Sequence, residues 1–145
     1  MSVPDPRAAF AAMTAALIED FRAHQGTVTA GPFAGRQVLL LTTTGARSGA
    51  QRLAPMVYTR DGDRYVIVAS KGGAPTHPAW YRNLLAHPVV TVEAGGETFR
   101  ARAVVIEGAE RDRLYAQHAA MHPSFTEYQQ RTSRVIPVVA LERIG

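Results

Sequence analysis

Apolar residues recur at helical spacing near the start of the chain. Between Asp5 and Gln25, Phe10, Met13, Leu17 and Phe21 fall at i, i+3, i+7 and i+11, with alanines filling much of the remainder, which predicts one amphipathic helix. Gly26 stops it, and residues 27–36, with Gly31, Pro32 and Gly35, read as a connecting loop. From Gln37 the period changes. Residues 38–43 are mostly apolar and partly β-branched, a central strand stopped by a turn that carries Gly45 and Gly49. Residues 53–59 and 64–70 are two further strands around the hairpin signal Asp61-Gly62. Thr76-His77-Pro78 introduces a helix over Ala79–Ala86, with Pro78 in its first turn and Thr76 or His77 at its cap, and His87-Pro88 closes it.

Val89–Ala94 and residues 98–106 form another hairpin across Gly95-Gly96, in which Phe99, Ala101, Ala103 and Val105 alternate with Arg100 and Arg102. Residues 109–120 are helical, residues 124–131 form a short helix capped by Ser124, and residues 136–141 are a last strand. Hairpins outnumber helical crossovers. About six strands with flanking helices therefore predict an α+β, mainly β, antiparallel barrel rather than a doubly wound sheet. One domain is expected, with residues 1–36 as helix and loop and residues 37–145 as the barrel.

Composition narrows the chemistry. Of the 145 residues 46% are hydrophobic and 19% charged, which excludes disorder and collagen-like structure. No cysteine is present, so disulfides, thiolate metal sites and cysteine nucleophiles are excluded. The start of the chain lacks a basic leader and an apolar run long enough to span a membrane, which makes the cytoplasm the expected location. The formal net charge is +4, and every cation except Lys71 is an arginine. Arginine presents a fork suited to phosphate and carboxylate, and the scattered placement without a basic run argues against nucleic acid as partner.

Arg47, Arg52 and Lys71 stand at strand ends beside glycine-flanked backbone, where meandering strands could bring them to one rim able to hold an anion, although solvated hairpin ends are their commoner fate. The start of the helix near Pro78 adds free N–H groups and Trp80-Tyr81, consistent with a flat, charged ligand; Trp80 could equally pack in the core. No phosphate-binding loop, dinucleotide fingerprint or nucleophile elbow is present. His118 and His122 are four apart, but His122 precedes Pro123 at the helix end, so no metal is expected. His122, Phe125 and Tyr128 could wall a pocket, with His122 able to exchange a proton and Tyr128 to donate a hydrogen bond.

These residues match a known pattern. The succession of residues 39–44, Gly45-Ala46-Arg47-Ser48-Gly49, Arg52, Pro55-Met56-Val57-Tyr58, Ala69-Ser70-Lys71-Gly72-Gly73, Pro78-Ala79-Trp80-Tyr81-Arg82-Asn83-Leu84 and Pro123-Ser124-Phe125-Thr126-Glu127-Tyr128 resembles the deazaflavin-dependent nitroreductase family over residues 37–141. The resemblance implies a split β-barrel of the FMN-binding type and use of the reduced deazaflavin coenzyme F420, with FMN ranked after it. It implies that Ala46, Arg47, Ser48, Arg52, Leu53, Ala54, Pro55, Met56, Val57, Val68, Ala69, Ser70, Lys71, Ala79, Trp80, Tyr81, Arg82, Asn83 and Phe125 line the coenzyme. Arg47, Arg52 and Lys71 would meet its phosphate and oligoglutamate tail.

Ser70 and Tyr128 are the expected proton-handling groups, and Tyr58, His122 and Trp80 the expected walls of the acceptor pocket. Family members of this type reduce quinones, including menaquinone, and in some cases nitroaromatic compounds. The first helix would then reach a membrane-held quinone from the inner face of the membrane. At His122 and Phe125, where a characterised relative carries tyrosines, one phenol donor is lost and an imidazole gained, so the resemblance carries coenzyme binding further than nitroimidazole reduction. The alternative is a binding module for F420, flavin or haem on the same barrel without catalysis. Neither residues nor resemblance sets the oligomeric state, a homodimer included.

Overall fold

The computed structural model describes residues 5–145; residues 1–4 of the expected N-terminal segment lie outside the described residues. Helix α1 spans Pro6–Ala23, capped by the Asp5 carboxylate, which accepts the Arg7 N–H at 3.0 Å. Strands β1 (Val38–Thr44), β2 (Gln51–Val57), β3 (Thr59–Asp61) and β4 (Arg64–Val68) follow, then a 3-10 turn at Lys71–Gly73 and helix α2 (Ala79–Ala86). The chain continues through β5 (Val89–Ala94), β6 (Glu97–Ile106), α3 (Gly108–Met121), α4 (Ser124–Gln130) and β7 (Val138–Arg143).

The strands form one antiparallel sheet in the order β2-β1-β5-β6-β7-β4-β3. Seven strands replace the expected six because the run 53–59 is broken at Tyr58. Up to Val57 it pairs with β1, Val57 opposite Val38. From Thr59 it pairs with β4, Thr59 opposite Val66. The two edge strands of the sheet are thus consecutive in the chain with one residue between them, which curls the sheet into a split barrel. Pro55, lacking an N–H, is accommodated because β2 is an edge strand.

The unbroken apolar run of β1 is explained by burial on both faces. Leu39 and Leu41 point to an inner core with Ile67, Val92, Phe99 and Leu141, which Tyr81 and Leu84 of α2 close. Val38 and Leu40 point to an outer core with Val66 and Val138, covered by Phe21 of α1, Leu114 and Tyr115 of α3, and Phe125 of α4. Both expected caps differ. Pro78 and Pro123 occupy the N-cap positions of α2 and α4 without side-chain caps, and Ser124 is the first helical residue of α4. Thr76, freed from capping, accepts the Lys71 Nζ donor at 3.2 Å.

Only the C-terminal half of the α1 stripe is covered: Phe21 is buried while Phe10 is 65% and Met13 47% exposed. The helix is held at that end. Arg22 makes a two-pronged pair with Glu93 of β5 at 3.0 and 2.9 Å, and the Asp20 carboxylate takes the Thr29 N–H, the Thr29 hydroxyl and the Ala30 N–H.

Candidate active site

Two adjoining cavities open between the β1–β2 turn, β2 and α2. The first, about 650 Å3, is lined by Gly45, Ala46, Arg47 and Ser48 of the turn, Arg52, Leu53 and Ala54 of β2, and Ala79, Trp80, Arg82 and Asn83 of α2. The second, about 490 Å3, shares Leu53, Ala54 and Trp80 with it and continues along Pro55, Lys71, Pro78, the α1 face at Phe10, Met13 and Leu17, and Pro32 and Phe33 of the loop. The two differ in character. The first collects three guanidinium groups, while the second is walled mainly by hydrocarbon and aromatic side chains.

The cationic character comes from three lining arginines whose charges no carboxylate meets. Arg22, Arg64, Arg111, Arg113, Arg131 and Arg143 pair with carboxylates. Of the arginines without such a partner among the described residues, Arg47, Arg52 and Arg82 line the first cavity, and Arg7, Arg36, Arg60, Arg100, Arg102 and Arg134 do not. The turn adds backbone donors. Its Gly45, Ala46, Gly49 and Ala50 N–H groups are spent on Ala50 O, Asn83 Oδ1, Gly45 O and Ser48 Oγ, leaving those of Arg47 and Ser48 without an acceptor among the described residues. Three unpaired guanidiniums, two spare N–H groups and an indole fit an anionic ligand with a flat ring. A Cβ at Gly45 would stand 2.6 Å from Ser48 Oγ and 3.2 Å from Ala50 O, so a larger residue there would push the Ser48 hydroxyl away from the Ala50 N–H.

Asn83 fixes the turn. It is 8% exposed, its Oδ1 accepts the Ala46 N–H at 3.0 Å and its Nδ2 donates to Thr43 Oγ1 at 3.1 Å. Of the residues expected at the coenzyme, ten line the first cavity, and Pro55 and Lys71 line the second. Lys71 stands one cavity away from Arg47 and Arg52, and Arg82 takes the third cationic place beside them. Met56, Val57, Val68, Ala69, Tyr81 and Phe125 pack into the two cores instead. Burial and the nearby Glu107 carboxylate raise the Tyr81 phenol above its ordinary value.

Of the five expected proton-handling and pocket residues Trp80 lines both cavities, while Ser70, Tyr128, Tyr58 and His122 lie outside both walls. Ser70 ends the extended segment after β4 at 7% exposure, directly before the 3-10 turn. Tyr128 is brought to the same turn from α4, its carbonyl against Gly73. Tyr58 packs against Tyr65 with ring centroids 5.1 Å apart and planes inclined by 57°, and burial pushes its phenol up. His122 is 3% exposed, its Nε2 lies 3.1 Å from the Tyr58 carbonyl, and burial lowers its pKa. A neutral, enclosed imidazole donating to a carbonyl is a strut under Tyr58 and a poor source of protons. His118 beside it is wholly buried, pairs with Thr59 Oγ1 at 3.3 Å, and is lowered to about 3 by burial, then by His122. No group of three or more metal-ligating side chains exists among the described residues.

Sequence reasoning missed the second cavity's walls at Phe10, Met13, Leu17 and Phe33, although the α1 stripe was the signal for the first three. It also missed Arg134, a lone arginine without a pattern around it. Arg134 donates to the carbonyls of Ala69, Ser70 and Ala74 and to His77 Nδ1.

The model of the family described as F420H(2)-dependent quinone reductase matches residues 15–143. The F420H(2)-dependent quinone reductase of Mycobacterium tuberculosis strain H37Rv is 45% identical over 108 residues, covering 72% of each protein. The solved F420-H2 dependent reductase FDR-A is 41% identical with a TM-score of 0.69, over 74% of this chain and 95% of that one. A structure described as a domain-swapped dimer is 34% identical with a TM-score of 0.71, over 95% of this chain and all of that one. The chain therefore belongs to the F420H(2)-dependent quinone reductase family and is an oxidoreductase that uses coenzyme F420.

Proposed function

We propose that the cationic cavity holds F420 and that the apolar cavity beside it receives the quinone. The observation that carries this reading is the wall the two cavities share, Leu53, Ala54 and Trp80, which lets two ligands of opposite character lie against each other. Arg47, Arg52 and Arg82, with the Arg47 and Ser48 N–H groups, bind the phosphate and oligoglutamate tail. Reduced F420, when bound, supplies the hydride. Leu53, Ala54 and Trp80 orient the acceptor, and Phe10, Met13, Leu17 and Phe33 exclude water from it.

We assign the proton that completes the quinol to Ser70, directly before the Lys71–Gly73 turn, and Tyr128, whose carbonyl lies against Gly73 of that turn. Tyr58 and His122 support the aromatic layer behind. In this arrangement residues 37–145 form the coenzyme-binding barrel and the segment before residue 37 supplies the acceptor wall. The hydrocarbon lining, which continues along α1 to the exposed Phe10 and Met13, favours a quinone with an apolar tail over a nitroaromatic ring. The same exposed pair would meet a membrane surface that holds such a quinone; no described helix is long and apolar enough to cross a membrane. Likeness to the domain-swapped neighbour makes a homodimer the assembly to test by sedimentation.

The test is anaerobic oxidation of reduced F420 with quinones and nitroaromatics supplied separately. Turnover with quinones that Arg52→Ala impairs through coenzyme affinity supports the reading. Tight F420 binding with no turnover on any acceptor would leave the binding-module alternative standing.

A further inference from the structure

The segment from Ala69 to His77 leaves the sheet and brings Lys71 to the apolar cavity, with Pro78 following it. Its backbone is unusual. Lys71, Gly72 and Gly73 have φ of 46, 64 and 81°, three successive residues in the left-handed region. The two glycines take those angles freely, but Lys71 carries a Cβ, and such a residue persists there only where its surroundings over-determine it.

The turn's own bonds, Gly73 N–H to Ser70 O and Ala74 N–H to Lys71 O, and a 3.5 Å bond from Arg131 Nη1 to Gly72 O contribute, and one further side chain grips both flanks. Arg134, between α4 and β7, donates Nε to Ala74 O at 2.8 Å, Nη2 to Ser70 O at 2.8 Å, and Nη1 to Ala69 O at 3.2 Å and His77 Nδ1 at 3.1 Å. A guanidinium has no acceptor, so His77 Nδ1 bears a lone pair and its proton sits on Nε2. Arg134 has no carboxylate partner among the described residues. Its charge is met by carbonyl dipoles and a neutral ring, and burial lowers its pKa below the ordinary guanidinium value. A half-buried cation without a counter-charge is a poor device for stability alone. What it grips is the flank of the left-handed run, Ala69 and Ser70 before it and Ala74 and His77 after it.

Resting on the coenzyme and acceptor reading above, we infer that Arg134 is a positioning residue: its four hydrogen bonds hold Lys71 in the left-handed conformation and so set Lys71 and Ser70 beside the paired cavities. Lysine in its place could not span four acceptors, because a point charge on a flexible stem lacks the planar fork.

Lys71 is the only lysine in the chain, so protein labelled with 15N-lysine reports this backbone through a single amide resonance. In Arg134→Gln that resonance should move or split, and the KM for a quinone acceptor should rise about tenfold while F420 affinity by calorimetry stays near that of the unmodified protein. His77→Leu, which removes one of the four grips, should move the resonance the same way by less and serves if Arg134→Gln does not fold. A lysine resonance superimposable on that of the unmodified protein, or a quinone KM within about twofold of it, overturns the inference. Absence of F420 binding by the unmodified protein would instead overturn the site reading, and the lysine resonance would still decide whether Arg134 governs the turn.

Discussion

Asn83 Oδ1 accepts the Ala46 N–H at 3.0 Å, and through this bond a buried amide of α2 fastens the β1–β2 turn over the cationic cavity. The second bond of Asn83, to Thr43 Oγ1, anchors the same amide to β1. Asn83→Ala leaves the Ala46 N–H and the Thr43 hydroxyl without their partner, at a cost of about 1–3 kcal/mol. F420 affinity measured by calorimetry should fall about tenfold, since a loosened turn must be ordered on binding. Unchanged affinity would mean that the turn takes no part in holding the coenzyme.

Gly73 is where α4 meets the Lys71–Gly73 turn. A Cβ there would stand 2.7 Å from Tyr128 O and 2.9 Å from Arg131 Cβ, at φ +81°. Gly72, at φ +64°, has nothing within 4 Å. Gly72→Ala should therefore cost about 1 kcal/mol for its backbone angle, and Gly73→Ala about 2 kcal/mol more as α4 is displaced. Urea unfolding of the two variants measures the difference.

His118 gives the protein an acid-sensitive core. With its pKa lowered from 6.5 to about 3 in the folded state, it is neutral when folded and takes up a proton more readily when unfolded. The stability it supports is complete above about pH 6.5 and declines as the pH falls toward 3, by up to ~5 kcal/mol. Asp20 and Asp61, both held below the ordinary carboxylate value by hydrogen bonds from Thr29 and Arg64, lose stability in the same direction further down in pH. Unfolding free energies of His118→Leu between pH 7 and 4 should show a shallower slope than those of the unmodified protein. Equal slopes would contradict the account.

Met13, 47% exposed on the uncovered stripe of α1, faces the apolar cavity. A charge there should repel a hydrocarbon tail and leave the coenzyme side alone. Met13→Glu should raise KM for a long-tailed quinone about tenfold while KM for a short, water-soluble quinone stays near its original value. Steady-state kinetics on the pair of acceptors tests this.

The elements were legible in the sequence where one physical signal dominated. The β1 run announced a central strand, the glycine-bounded turn drew attention to Arg47 and to Arg52 just after it, and ten of the eleven residues that line the first cavity are among those the family resemblance implies at the coenzyme. Long-range arrangement was not legible. Residues 53–59 read as one strand because their pattern is continuous, yet Tyr58 turns the chain from one sheet edge to the other and its N–H goes to Gln37 O at 3.0 Å. The amphipathic α1 was visible, but periodicity states only that a face is apolar, not what covers it. Arg134 has no local signature at all, since its partners lie about sixty residues away in sequence and its side-chain chemistry there is with backbone carbonyls.

Trp80, the only tryptophan, stands in the wall common to both cavities, where a coenzyme bound as proposed would alter its fluorescence. Titration of the protein with F420, followed by Trp80 fluorescence, should show saturable quenching. In Arg47→Ala/Arg52→Ala the affinity should drop at least about tenfold, with a weaker dependence on salt because two screened contacts are gone. Quenching by F420 that is unaffected by removing both arginines would contradict the cationic cavity as the coenzyme site.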